Sequence, residues 1–254
     1  MLEAYIRDQR RRKEILLMTH IVIGYPSLEA SFEIIQAMVE AGVDLMELQI
    51  PFSEPIADGP VILRASQEAI ARGVRVADCL DLGRRAAKSF DIPFLFMTYY
   101  NILFKYGVER FAGAMAAGGL RGAIVPDLPP EEGGIYLRTM AGNNLAPIFI
   151  YAPTSSDARM RLIAGHARGF VYCVARKGVT GQQTDFSTEL DSYLARCRQA
   201  TRLPLALGFG VKDRADIDFL TGKADIAVIG TQTIRLMEEK GVEAVGAFIR
   251  GLRG

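Results

Sequence analysis

Residues 45–60 read LMELQIPFSEPIADGP and hold four side chains able to move protons or meet charge: Glu47, Gln49, Glu54 and Asp58. Side chains of a strand alternate between faces, so Leu45, Glu47 and Gln49 share one face and Met46, Leu48 and Ile50 the other. A carboxylate on a buried face is costly unless it is paired or used. Two other apolar runs offer partners at matching heights. Run 16–23 turns Met18, His20 and Val22 to one face, and run 169–174 turns Phe170, Tyr172 and Val174. An acid, an imidazole and a phenol (Glu47, His20, Tyr172) can thus converge at one mouth, where they could exchange protons with a ligand. The plainer readings are a hydrogen-bonded core histidine, a core tyrosine and a structural acid.

Three glycine turns follow later apolar runs: RKGVTG (176–181), LGFGVKD (207–213) and VIGTQT (228–233). Glycine lets backbone N–H groups come close to an anion, and a following helix N-terminus adds its dipole. Three such turns in succession point to a phosphate. GFGVKD lacks the third glycine of a dinucleotide fingerprint, and no Walker loop, HExxH, GxSxG or paired CxxC occurs. Lys177 lies in a glycine loop rather than at a strand end, which argues against a Schiff-base aldolase.

These residues need a frame to hold them. Runs rich in Val, Ile, Leu and Phe recur near 16–23, 43–50, 93–97, 122–126, 146–151, 169–174, 203–207 and 225–229. Amphipathic stretches lie between them. In 28–41 the stripe is Leu28, Phe32, Ile35 and Val39, with Ser27 to cap the start and Gly42 the end. In 241–252 it is Val242, Val245, Ile249 and Leu252. Eight strands alternating with helices predict an α/β fold, a single (β/α)8 TIM barrel over residues 1–254 with an extra N-terminal helix, and its chemistry at the C-terminal strand ends. A doubly wound open sheet is the alternative.

The chain has 254 residues, half of them hydrophobic, and a net charge of +1. That length suits one barrel core, and the balanced charge gives no pull toward nucleic acid or an anionic membrane. No apolar run reaches the ~18 residues of a membrane span. The charged opening MLEAYIRDQRRRKE lacks the apolar core of an export signal, so a cytoplasmic location is expected. Its RDQRRRK run reads as a solvated first helix, with a nucleic-acid patch as the alternative. Cys79, Cys173 and Cys197 are scattered and fit reduced thiols.

The stretches LMELQIPFSEPIADGP, FMTYYN, IVPDLPPEE, APTSSDARM, RKGVTG and LGFGV run in this order over nearly the whole chain, and together they resemble the α subunits of tryptophan synthase. The resemblance implies a barrel that splits indole-3-glycerol phosphate into indole and glyceraldehyde 3-phosphate. It implies an α2β2 assembly with a β subunit that takes up the indole. It implies no metal or cofactor in this chain, pyridoxal phosphate being expected only in the β subunit. By the same resemblance, Glu47 is the catalytic glutamate and Asp58 the catalytic aspartate of the following loop. Tyr172, Tyr99, Ile124 and Ile150 then line the indole pocket. Thr180 orients the aspartate, and Gly181, Gly210, Gly230 and Thr231 hold the phosphate.

The sequence also departs from the family it resembles. His20 stands where a phenylalanine usually packs on the indole, so it is expected to contact substrate, and His20→Phe to keep or improve turnover. Gln49 replaces a usual glycine. Both changes make the pocket smaller and more polar. Glu54 replaces an aspartate of the loop that usually contacts the β subunit. Thr19, Ile102 and Thr231 stand where proline, proline and serine are common.

Carbon–carbon cleavage of such a substrate needs an electron sink. Protonating indole C3 supplies one, and Glu47 is placed to do so. The charge then spreads to N1, where Asp58 can accept the N1–H bond. Glu47, now ionised, can take the glycerol hydroxyl proton. Two further readings stay open: another sugar-phosphate barrel enzyme, such as an isomerase, epimerase or aldolase, and an activator subunit with little activity of its own. Segments 51–60 and 177–190 mix glycine, proline and polar residues and are expected to be mobile lids.

Overall fold

The computed structural model describes residues 1–175, 183–208 and 210–253. Helix α1 (Leu2–Arg10) leads into β1 (Leu16–Val22), α2 (Leu28–Glu40), β2 (Leu45–Gln49), α3 (Pro60–Ala71), α4 (Val76–Ser89) and β3 (Phe94–Met97). There follow α5 (Tyr100–Tyr106), α6 (Val108–Gly118), β4 (Gly122–Ile124), α7 (Gly134–Gly142), β5 (Ala146–Tyr151), α8 (Asp157–His166) and β6 (Val171–Val174). The chain ends with α9 (Gln183–Ala200), β7 (Leu205–Gly208), α10 (Arg214–Leu220), β8 (Ile226–Ile229), α11 (Thr231–Lys240) and α12 (Val242–Arg253).

The strands pair in parallel in chain order, and β8 returns to β1 with Leu16 opposite Ile226 and Thr19 opposite Ile229. That pairing closes the barrel and rules out the open sheet. The alternation seen in the sequence sorts the core into two layers. Met18, Leu45, Leu95, Ile148, Phe170 and Ile226 fill the barrel, while Leu17, Met46, Leu48, Phe96 and Leu207 pack under the helices. Leu2 and Ile6 of α1 join the inner layer.

The basic run 7–13 is the polar side of α1 and its exit. Arg7 pairs with Glu3, Arg10 with Asp225 at 3.4 Å and Lys13 with Asp44 at 2.5 Å. Asp44 is a buried hub: it also accepts from Leu17 N at 2.7 Å and from the Arg253 guanidinium. One carboxylate therefore ties the exit of α1, the start of β1 and the last helix together.

Ser27 caps α2 as expected, its hydroxyl accepting from Ala30 N at 3.1 Å. The buried line of α2 differs from the expected stripe. It runs through Ser31, Ile34, Ile35 and Met38, with Leu28, Phe32 and Val39 half-buried beside it. Flanking helices α4 and α12 cover the edges of the helix as well as its centre, so the apolar arc is wider than one row. The segment expected as a lid at 177–190 lies outside the described residues up to 182, and from Gln183 it is helix α9. Cys173 of β6 and Cys197 of α9, far apart in sequence, are buried in one core, and both are free thiols.

Candidate active site

The register of β1 against β2 sets His20 opposite Glu47. His20 Nδ1 lies 2.9 Å from Glu47 Oε1. Both residues are buried, 3 % and 4 % exposed, so the contact is shielded from solvent. Among the described residues, Glu47 Oε2 and His20 Nε2 have no partner. Burial opposes a charge on His20, but the Glu47 hydrogen bond and the charges of Glu47 and Asp58 outweigh it and hold the imidazole above its ordinary value.

Two residues further along β2, Gln49 is fully buried and donates from Nε2 to Asp58 Oδ2 at 2.7 Å. The Tyr99 hydroxyl donates to the same oxygen at 3.0 Å and accepts from Ala57 N at 3.2 Å. The Phe52 ring stacks on Tyr99 with centroids 4.9 Å apart. The loop that carries Asp58 is thus held at both ends of its functional stretch. Burial, then the charge of Asp58, raises the Tyr99 phenol, which keeps it a donor. Burial, then the charges of Glu47 and Asp58, raises Tyr172 well above its ordinary value.

One cavity at the C-terminal strand ends gathers most of the residues singled out in the sequence. His20, Glu47, Asp58, Ile124, Ile150 and Tyr172 line it, together with Gly210, Gly230 and Thr231. Gly210 has φ +83, a conformation that favours glycine, and Gly230 caps the start of α11. Thr180 and Gly181 lie outside the described residues. Tyr99 is fully buried, and its hydroxyl turns to Asp58 and Ala57. His20 lines the cavity as expected of a residue that meets the substrate, and its ring also has Glu47 as a partner.

Sequence reasoning passed over several members of the site. Gly208 packs so closely under Tyr172 that a Cβ there would lie 3.0 Å from the ring. Met97 and Val228 also line the cavity, each two residues along its strand from an inward-facing neighbour, so the period of two could have found them. The hydrogen bond from Gln49 to Asp58 had no signal beyond the inward face of Gln49.

Chemically, the cavity offers one carboxyl group paired with an imidazole, a second carboxylate fixed by two donors, apolar walls and glycine turns at a helix start. It can pass a proton back and forth, balance a growing positive charge and seat a flat apolar ring beside an anion. Among the described residues no cluster of His, Cys, Asp or Glu could hold a metal, and no helix is long and apolar enough to cross a membrane.

The family model described as tryptophan synthase alpha chain matches residues 6–249. The tryptophan synthase alpha chain of Syntrophotalea carbinolica is 66 % identical over 100 % of both chains. That of Desulforapulum autotrophicum is 66 % identical over 99 % of this chain and 100 % of its own. Among solved structures, tryptophan synthase of Mycobacterium tuberculosis superposes with a TM-score of 0.91 at 33 % identity, covering 99 % of this chain and 96 % of that chain.

Proposed function

The chain belongs to the family of tryptophan synthase alpha chains, and on that premise we propose which of its residues carry out the family's reaction. The protein is a lyase of tryptophan biosynthesis that cleaves indole-3-glycerol phosphate to indole and glyceraldehyde 3-phosphate for a β subunit. Glu47 gives a proton to indole C3. Asp58 accepts the N1–H bond and balances the charge that results. Glu47, now a carboxylate, takes the proton of the glycerol hydroxyl as the carbon–carbon bond breaks, and the bonding pair returns to the ring. Ile124, Ile150 and Tyr172 seat the indole. Backbone N–H groups around Gly210, Gly230 and Thr231 hold the phosphate, with Thr180 and Gly181 assigned to the same substrate by resemblance. The observation that carries this reading is that Glu47 and Asp58 line one cavity while each is held by a partner of its own.

The chain works with its β subunit as an α2β2 complex in the cytoplasm, as one barrel domain over residues 1–254, without contact to nucleic acid or membrane. It uses no cofactor itself, and pyridoxal phosphate belongs to the β subunit. In support of a partner face, Ile56, Phe104 and Ile135 are 80 %, 72 % and 53 % exposed on segments that follow β2, β3 and β4. Glu54 is exposed in the first of these segments.

The test is indole release by purified variants. Glu47→Gln keeps the shape of the side chain but cannot cycle a proton, so its loss should exceed the ~10²–10⁴-fold of a single acid–base role. Asp58→Asn should lose roughly 10²–10³-fold through the missing charge. A Glu47→Gln enzyme that keeps more than about a tenth of parent turnover removes Glu47 from the mechanism.

A further inference from the structure

The two oxygens of Glu47 are not equivalent in this fold. Oε1 lies 2.9 Å from His20 Nδ1, while Oε2 is buried and has no partner among the described residues, on a side chain that lines the cavity. The contact is built on strand register, because His20 and Glu47 sit opposite each other on paired strands, and a site on strands is held more tightly than one on loops. Gly230 lies beside the His20 side chain, and a Cβ added there would be in ordinary contact with its Cβ, Cγ and Cδ2 at 3.5–4.0 Å.

We propose that His20 is a positioning residue for Glu47, holding Oε1 so that Oε2 alone exchanges the proton with the substrate. The proposal rests on the reading of Glu47 given above. In its Nδ1–H form the ring donates to Oε1, and the acid proton sits on Oε2. That proton passes to indole C3, leaving a carboxylate and a ring cation, while the Nδ1–H bond to Oε1 stays in place. The glycerol hydroxyl then gives its proton to Oε2. Its carbon–oxygen bond becomes the aldehyde double bond as the carbon–carbon bond breaks, and the breaking pair returns to C3 and neutralises the ring. The carboxyl group ends as it began, and His20 gains and loses no proton.

Outside the turnover, the imidazole and Glu47 titrate as one coupled pair. The charged groups that act on His20 are Glu47 from β2 and Asp58 from the loop after it, and Tyr172 from β6 lines the same cavity. Ile62 of α3, Val228 of β8 and Thr231 of α11, which line the same cavity, do not titrate. Burial opposes protonation of His20, and the Glu47 bond and the two carboxylates reverse that, so the raised group keeps its proton below its folded value and loses it only as pH climbs through that value. The pair, not Glu47 alone, then sets the alkaline limb of the rate.

The experiment is the pH profile of kcat/KM for indole release by the full chain with its β subunit, in the parent, His20→Phe, His20→Asn and Glu47→Gln. His20→Phe should lower the plateau about tenfold and move the alkaline limb down by about one pH unit or more. His20→Asn, whose amide can donate to Oε1 but cannot titrate, should recover the plateau and keep the lowered limb. A limb unchanged in both His20 variants overturns the proposal, as does an asparagine plateau no better than that of phenylalanine. If Glu47→Gln stays active, the reading of Glu47 fails. If it is dead and the His20 variants keep the parent limb, only the role of His20 fails.

Discussion

Replacing Gln49 by leucine should cripple the enzyme while leaving its stability nearly untouched. Gln49 is fully buried, and its Nε2 donates to Asp58 Oδ2 at 2.7 Å. A hydrogen bond to a charged group contributes about 1.5–3 kcal/mol. If that bond holds Asp58 where the indole N1 charge develops, its loss corresponds to roughly a 10- to 150-fold fall in kcat/KM. Stability responds to a second group. Gln49 Oε1 is buried without a partner among the described residues, and leucine removes that unmatched acceptor along with the donor. Relief of an unmatched acceptor is worth about 1–3 kcal/mol, the same size as the lost bond, so the two nearly cancel. Tyr99 still donates to the same Asp58 oxygen at 3.0 Å, so Gln49→Leu with Tyr99→Phe should lose more than the two single losses combined. The assay is indole-release kinetics and a thermal melt on each variant. A Gln49→Leu enzyme within about twofold of the parent kcat/KM, with its melting unchanged, refutes the idea that Gln49 positions Asp58, because a loss of at least about tenfold is expected. A collapse of the melt would instead make the amide a structural support.

Tyr99→Phe alone should speed amide exchange around Ala57, since the hydroxyl accepts from that N–H at 3.2 Å, and exchange as slow as in the parent would show that the loop is held by other contacts. Gly208→Ala should raise KM more than it lowers kcat, because the new Cβ would stand 3.0 Å from Tyr172 Cε1 and 3.2 Å from its hydroxyl, driving the ring into the cavity; an unchanged KM would count against Tyr172 as a wall of the substrate site. Asp44→Asn leaves Lys13 and Arg253 facing a neutral buried group and should cost on the order of 3 kcal/mol, or roughly 6–12 °C in melting temperature, so a shift below about 2 °C would show that the hub is dispensable. Sulfate or glycerol phosphate soaked into crystals should settle against Gly210, Gly230 and Thr231, and an anion bound elsewhere with those turns empty would defeat the phosphate assignment.

The period of two along each apolar run was enough to set the eight strands and to turn Glu47 and Gln49 into the barrel, because side-chain direction in a strand is a local property. The glycine at 210 was legible for the same reason, since a positive φ that favours an absent Cβ announces itself in one residue. The stripe of α12 was legible too, with Val245, Ile249 and Leu252 buried as their spacing requires. Partnership was not. Nothing within residues 16–23 or 43–50 states which height on β1 meets which on β2, and that register is what joins His20 to Glu47. Tyr99 meets Asp58 because the loop after β2 folds back over it, and Cys173 of β6 shares one core with Cys197 of α9. Direction follows from the chain's own stereochemistry and can be read one residue at a time. A hydrogen bond needs two groups within about 3 Å of each other, and only closure of the barrel brings such groups together.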